Sequence, residues 1–354
     1  MQQLAAPSYS TVQTLFARLA AYNLSVAAVL AGTAPGQIWA DDPGEPRVAL
    51  LRSPEGYYVA GDAGHAEGYA ALKETLPHHA YLILDPPAWA CVLDRVWVNR
   101  AARRHPRLHL LLQSFHLPHW RDLVPEGYQL TAVNRALLAR TELENHDAVA
   151  EWVEGWHSVD DFERNGFGCC LVYEREATIA SWCIADSVLG GRCEMGVTTD
   201  RRHRRHGLAT AVVSAAVEQC LERGFDEIGW HCLRSNAGSI AVARKVGFQV
   251  ERAYDGYSSF LPAENPADLT PDEYRDWALH YERVTGDGLG YSFNAAEAWA
   301  MAGEPERALA YLRRLPEMGW RGRIEWVAHN WRFDSLCDRP AFQAVLAALQ
   351  QTGR

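Results

Sequence analysis

Between Arg192 and Cys220 the chain reads RCEMGVTTDRRHRRHGLATAVVSAAVEQC, a strand-like run, a basic run and an apolar run of helical spacing. Four Arg and two His fall within Arg201–His206, in a chain whose formal net charge is −10. Such a run ordinarily serves as a solvated face or a weak polyanion patch. Its position between a strand and a helix offers a third use. The first turn of a helix presents free N–H groups and the positive end of its dipole, which together hold phosphate. Gly207 and Ala209 let the backbone approach an anion, and the neighbouring Arg side chains add charge and forked donors. A strand ending at Thr199, followed by this turn and a helix from near Thr210, reads as a pyrophosphate cradle.

The 354 residues predict two or three domains, and a hydrophobic content of 48% permits sizeable cores. No stretch approaches the roughly 20 apolar residues of a membrane span. The opening MQQLAAPSYS lacks a basic start and an apolar h-region, so a cytoplasmic protein with no membrane partner is expected. The eight Cys contain no CxxC pair and read as reduced core thiols. No metal site is expected, because the His residues are not at ligand spacing with Cys or carboxylates. The acidic balance argues against nucleic acid as a partner.

Up to about Leu110 the pattern mixes helix and strand. Ser10 to Leu30 has helical spacing; RVALLRS and GYYVAGD are strand-like about the turn Pro54–Gly56, and AYLILD is a further strand. A second basic run, Arg100 to Arg107, reads as a solvated connection between domains. FGCCLVYE, TIASWCIADS and RCEMGVTT follow as three strands, then a helix over Thr210–Arg223 stopped by Gly224. The strand EIGWHCL, a helix over Ser239–Val246 stopped by Gly247, and the strand FQVERAY complete an α/β layered unit. From Pro266 strands vanish. FNAAEAWAMAGEPERALAYLRRLPEMGW predicts two antiparallel helices, with Ala296, Trp299 and Ala300 facing Ala308, Leu309 and Leu312, resembling one tetratricopeptide-type hairpin.

Two motifs converge on one family. Arg204-Arg205-His206-Gly207-Leu208-Ala209 resembles the R/Q-x-x-G-x-G/A signature of the GNAT superfamily of N-acyltransferases. In RSNAGSIAVARKVGF, Asn236, Ser239, Lys245 and the Gly247-Phe248 pair resemble that family's second element. The likeness is closest to the branch with a degenerate N-terminal GNAT-like half. It implies an α/β fold with a mixed, splayed sheet flanked by helices, and boundaries at 1–110 (degenerate half), 111–265 (catalytic domain) and 266–354 (a small all-helical appendage).

The resemblance further implies an acetyl-CoA-dependent transfer to a primary amine of a small molecule or protein, with acetyl-CoA as co-substrate. Val197 and Thr199 would pair with the pantetheine, and Val197 would also polarise the thioester carbonyl. Arg204, Arg205, His206, Gly207, Leu208, Ala209 and Thr210 would wrap the pyrophosphate, with Asn236 on the opposite wall and Ser239 near the phosphates. Direct attack needs a base. Glu194 is the first candidate, as a charge in the apolar strand RCEMGV; a salt bridge to Arg192 is its structural alternative. His231, in GWHCL, is the second, against a core or rim histidine. Where many relatives carry a Tyr seven residues after the Asn, this chain has Ala243. Tyr254 or Tyr257 would then supply the general acid, or solvent would. A rival expectation is a non-catalytic acyl-CoA sensor with a partner-binding helical tail, which could also mediate dimerisation.

Overall fold

The computed structural model describes all residues except 287, 289, 353 and 354. Its chain divides into two compact units: Met1–Val98 with Pro106–Tyr257, and Asn99–His105 with Ser258–Arg354. The first unit therefore takes in segments from both sides of position 110, joined through one sheet.

In chain order the strands are β1 (Gln2–Gln3), β2 (Gln37–Ala40), β3 (Val48–Ser53), β4 (Gly56–Gly61), β5 (Leu82–Asp85) and β6 (Arg103–Leu112). They continue as β7 (Tyr128–Ala132), β8 (Gly168–Tyr173), β9 (Thr178–Leu189), β10 (Arg192–Thr199), β11 (Glu227–Leu233) and β12 (Phe248–Ser258). The spatial order is β1-β2-β3-β4-β5-β12-β6-β11-β10-β9-β8-β7. Most neighbours are antiparallel; β4 with β5 and β10 with β11 are parallel. This is the mixed sheet flanked by helices that the motifs imply.

Local chemistry explains where the elements stop. The β9–β10 hairpin turns at Gly190, whose φ of +61° suits glycine. The helix Leu208–Glu222 lies against the sheet, burying Leu208, Ala211, Val212, Ala215 and Ala216, which its run of small and apolar residues permits. The Ser10–Leu30 pattern is not one helix. It breaks into a 3₁₀ turn (Ala6–Val12) and two helices, Gln13–Ala20 and Leu24–Ala31, because the Asn23 side chain caps the second by accepting from Val26 N–H at 3.0 Å. The second basic run also departs from expectation. Arg103 opens β6, and Arg107 is part-buried, its Nε donating to Tyr254 at 2.8 Å. Strand pairing to β11 from Arg107 to Leu111 draws the run into the sheet.

The second unit packs the helices Pro271–Thr285, Ser292–Met301, Pro305–Glu317 and Pro340–Thr352 on its own core of Tyr274, Tyr281, Trp299, Leu312 and Phe342. Its first helix starts with a capping box between Thr270 and Glu273. Ala296, Trp299, Ala300, Ala308, Leu309 and Leu312 are all buried in that core. Among the described residues, no helix is long and apolar enough to cross a membrane.

Gly247 closes the helix Ala237–Val246 at φ +122°, and a Cβ there would stand 1.7 Å from the Ser114 carbonyl oxygen. That loop is pinned by Gln113 N–H to the Gly247 carbonyl (3.1 Å) and His116 N–H to the Val246 carbonyl (3.0 Å). Gly247→Ala should therefore cost about 2–4 kcal/mol, since strain and clash have no route of escape. The check is a lower urea midpoint for unfolding of the first unit.

Candidate active site

β10 and β11 are registered only from Arg192↔Glu227 to Glu194↔Gly229, although β10 runs on to Thr199 and β11 to Leu233. Past Glu194 the two strands part, leaving the β10 edge from Met195 to Thr199 without a strand on that side. On its other side β10 stays paired to β9, but the register jumps between Glu194↔Ser187 and Met195↔Ala185. Asp186 is the residue left over at this bulge, a device that re-aims side chains beside functional sites.

Glu194 sits where the strands part and is 4% exposed. Its Oε1 accepts from Leu24 N–H at 2.8 Å and lies 3.1 Å from His231 Nε2; its Oε2 is buried without a hydrogen-bond partner. Burial, the largest influence, pushes its pKa up. The charge and hydrogen bond of His231, the Leu24 N–H and His109 outweigh that and hold the carboxyl below its ordinary value. The expected alternative partner, Arg192, is engaged elsewhere, with Glu227 and with the carbonyls of Ala20 and Ala21.

His231 links this carboxylate to a longer chain. The Tyr254 hydroxyl lies 2.9 Å from His231 Nδ1 and accepts from Arg107 Nε at 2.8 Å. An ionised Glu194 only accepts, so His231 Nε2 donates to its Oε1. Burial, opposed by Arg107, raises the Tyr254 pKa well above the ordinary tyrosine value, so the hydroxyl keeps its proton.

His109 on β6 stacks on His231, ring centroids 4.5 Å apart and planes 16° apart, with a buried Nδ1 that has no partner. Ligand atoms of His109, Glu194 and His231 lie within 4.8 Å of one another. A shared ion must lie in the plane of each ligating imidazole. Two nearly parallel stacked rings do not share one, so the geometry favours a hydrogen-bonded relay over a chelate.

The basic turn sits at the other end of the parted strands. Asp200 caps it by accepting from Arg202 N–H at 2.9 Å, and Arg202 also pairs with Glu144 at 2.6 Å. His203 is buried against Tyr128, and Arg204 Nε donates to the Thr199 carbonyl at 3.2 Å. Arg205 (φ +68°) and Gly207 (φ +81°) are both left-handed, which turns successive N–H groups to one side as an anion nest. The helix begins at Leu208, two residues before the expected Thr210, with Gly207 as its N-cap and no side-chain cap. Among the described residues, no backbone acceptor takes the N–H groups of Arg205, His206, Gly207, Leu208, Ala209 or Thr210. A Cβ on Gly207 would meet nothing within 4 Å.

Val197 and Thr199 lie on the parted section of β10, Thr199 Oγ1 within 2.8 Å of Ser181 Oγ. Asn236 heads the helix on the β11 side and caps it, its Oδ1 accepting from Ser239 N–H at 2.9 Å; Ser239 Oγ accepts from Trp230 Nε1 at 3.0 Å. Ala243 is fully buried, whereas Tyr257 pairs with Leu82 of β5.

The structure thus gathers Glu194, His231 and Tyr254 into one hydrogen-bonded series. Sequence reasoning missed Arg107, which joins it through Tyr254, His109, which stacks on His231, and Glu55 and Asp186, whose charges act on this group. Asp186 left a trace as a charge at the end of TIASWCIA. Glu55 read only as a turn residue.

A splayed mixed sheet, an anion nest and a buried carboxylate between them define an acyltransferase. Residues 13–257 match the GNAT acetyltransferase family, and the chain belongs to it. It is 26% identical over 266 residues to the uncharacterized N-acetyltransferase YdfB of Bacillus subtilis, covering 73% of this chain and 98% of that protein. The crystal structure of a GCN5-related N-acetyltransferase-like protein from Streptococcus suis superposes with a TM-score of 0.59. It is 23% identical, over 72% of this chain and 98% of that one.

His109 makes a pH prediction. Burial first, then the charge of His231, lower its pKa from 6.5 to about 4. Between those values the unfolded chain binds a proton that the native one refuses, so this contribution is present above pH 6.5 and is lost as pH falls toward 4. It amounts to at most about 3 kcal/mol. Urea midpoints at pH 7 and pH 4.5 should fall further for the wild type than for His109→Gln.

Proposed function

We propose that the chain transfers an acetyl group from acetyl-CoA to a primary amine, with Glu194 as the base. One observation carries most of this: a buried carboxylate, held ionised with one oxygen free, stands where β10 leaves β11. The free N–H groups from Arg205 to Thr210 suit a pyrophosphate, with the Arg205 and Arg204 side chains beside it. Val197 and Thr199 would take the pantetheine along the open β10 edge, with Val197 N–H toward the thioester oxygen. Asn236 and Ser239 would face it from the β11 side.

Glu194 Oε2 takes the first proton from the incoming ammonium, and His231 shares the charge through its contact with Oε1. The amine nitrogen bonds to the carbonyl carbon, the carbon–sulfur bond breaks, and the nitrogen passes its remaining surplus proton to solvent. The departing thiolate takes up one proton, for which solvent suffices because thiols ionise near pH 8.5. Tyr254 is a positioning residue for His231, with its hydroxyl already committed to His231 and Arg107. The residues before 110 supply part of the active-site wall, and the helices after 266 remain a candidate partner surface.

Glu194→Gln should lower kcat by about 10²–10⁴-fold while the CoA Kd stays within about twofold. Thiol release with an amine panel, beside calorimetry with CoA, reads both. CoA binding without turnover on any amine would replace the enzyme by a sensor. Gly207→Val, which places a branched side chain at φ +81° in the nest, should weaken CoA by tenfold or more.

A further inference from the structure

One side chain of the basic turn is sunk into the protein. Between Asp200 and Leu208, His203 alone is buried, while Arg205, His206 and Gly207 are all exposed. His203 enters a box made where β7 pairs with β8. Tyr128 and Tyr173 are registered partners on these strands, their rings stacked with centroids 4.8 Å apart. Gly127 (φ +90°) admits that stack, since a Cβ there would stand 3.0 Å from the Tyr173 ring. The His203 imidazole meets both tyrosines edge to face, with centroids at 5.7 and 5.5 Å. The Tyr128 hydroxyl lies 2.8 Å from His203 Nδ1; Nε2 is buried without a hydrogen-bond partner, 3.7 Å from Glu176 Oε2.

Two residues further on, Arg205 takes φ +68°. A residue with a Cβ enters that region at a cost, and keeps it only where its surroundings leave no alternative. Gly207 reaches its own φ of +81° freely; Arg205 does not. Arg205 is exposed, so packing of its own side chain does not impose the conformation. The constraint comes from its flanks. Before it stands His203 in the tyrosine box, and after it Leu208, 1% exposed, at the head of the helix. Asp200 is tied down as well, its N–H on the Ala180 carbonyl (2.8 Å) and its Oδ2 accepting from Asn145 Nδ2 (2.9 Å), but it lies further back in the chain.

Resting on the acetyl-CoA reading above, we propose that His203 is a positioning residue for the diphosphate. Clamped between Tyr128, Tyr173 and the hydroxyl of Tyr128, it holds the chain so that Arg205 stays left-handed and the N–H groups that follow turn to one side. Released from the box, Arg205 returns to negative φ and the nest opens. His203 acts through the Arg205 backbone and not on the reacting atoms. Its loss therefore bears on affinity for a diphosphate-bearing co-substrate and leaves the chemical step alone.

The test uses the full chain and calorimetry with CoA and with pantetheine, which lacks the diphosphate. Tyr128→Phe, which removes the hydroxyl and keeps the ring, should raise the CoA Kd by about three- to tenfold. His203→Leu should raise it by about tenfold or more, and if that variant does not fold, Tyr128→Phe carries the test. Pantetheine affinity should stay within about twofold in both, because pantetheine does not reach the nest. The deciding measurement is a cycle with Arg205→Gly, since glycine holds positive φ unaided. In that background Tyr128→Phe should cost less than about twofold in CoA Kd. A merely structural contact would cost the same in either background, and that result overturns the proposal, as does an equal loss for pantetheine. Variants that bind CoA as the wild type does also overturn it and leave the acetyl-CoA reading standing. A wild type that binds no CoA overturns that reading, and the role of His203 with it.

Discussion

β10 and β11 share three registered pairs and then separate at Glu194. Had the pairing run on to Thr199, the backbone groups of Val197 and its neighbours would have been consumed in a ladder, leaving nothing for a ligand. The bulge across from Glu194 belongs to the same event, because the extra residue on β9 bends the strand away. A gap in a sheet is costly unless something else satisfies its edges. Here β10 runs from the end of the gap directly into the basic turn and the helix Leu208–Glu222.

The charge of Glu194 depends on a segment far away in sequence. Leu24 is the first residue of a helix, so its N–H has no partner within that helix and is free to donate to Glu194. The positive end of the same helix favours the carboxylate's charge. Arg192 fixes the approach by donating to the Ala20 and Ala21 carbonyls, on the segment that breaks the two helices. What an unbroken helix over Ser10–Leu30 would have hidden inside its own hydrogen bonds, the break at Asn23 makes available. The residues before 110 thereby share in holding Glu194 ionised.

Those dependencies mark the limit of what the sequence could say. The nest was legible because its donors are consecutive: Arg204 to Thr210 form one local feature whose physics needs no tertiary partner. The strands β8 to β12 were legible for a similar reason, as apolar runs bounded by Gly and charged turns. Glu194 was legible only as an anomaly, a charge in an apolar strand. Its partners were not, since Leu24 contributes a backbone group, which carries no side-chain signature, and His231 is 37 residues away. Arg107 misled for the same cause. A run of Arg reads as solvated until strand pairing places one of its members among tyrosines.

Environment divides three chemically similar acids into two kinds. Glu194 is the most enclosed, yet it is held ionised, because an N–H and an imidazole meet its Oε1 directly. Glu55 and Asp186 keep access to water but lack such donors in sufficient number, and their mutual repulsion adds to burial in raising them. An ionised base with a free lone pair removes a proton at neutral pH; carboxyls whose charge is destabilised gain most from an arriving cation. The bulge that aims Asp186 and the broken pairing that frees Glu194 are one distortion of the sheet, so the two kinds of acid are spaced by the backbone itself.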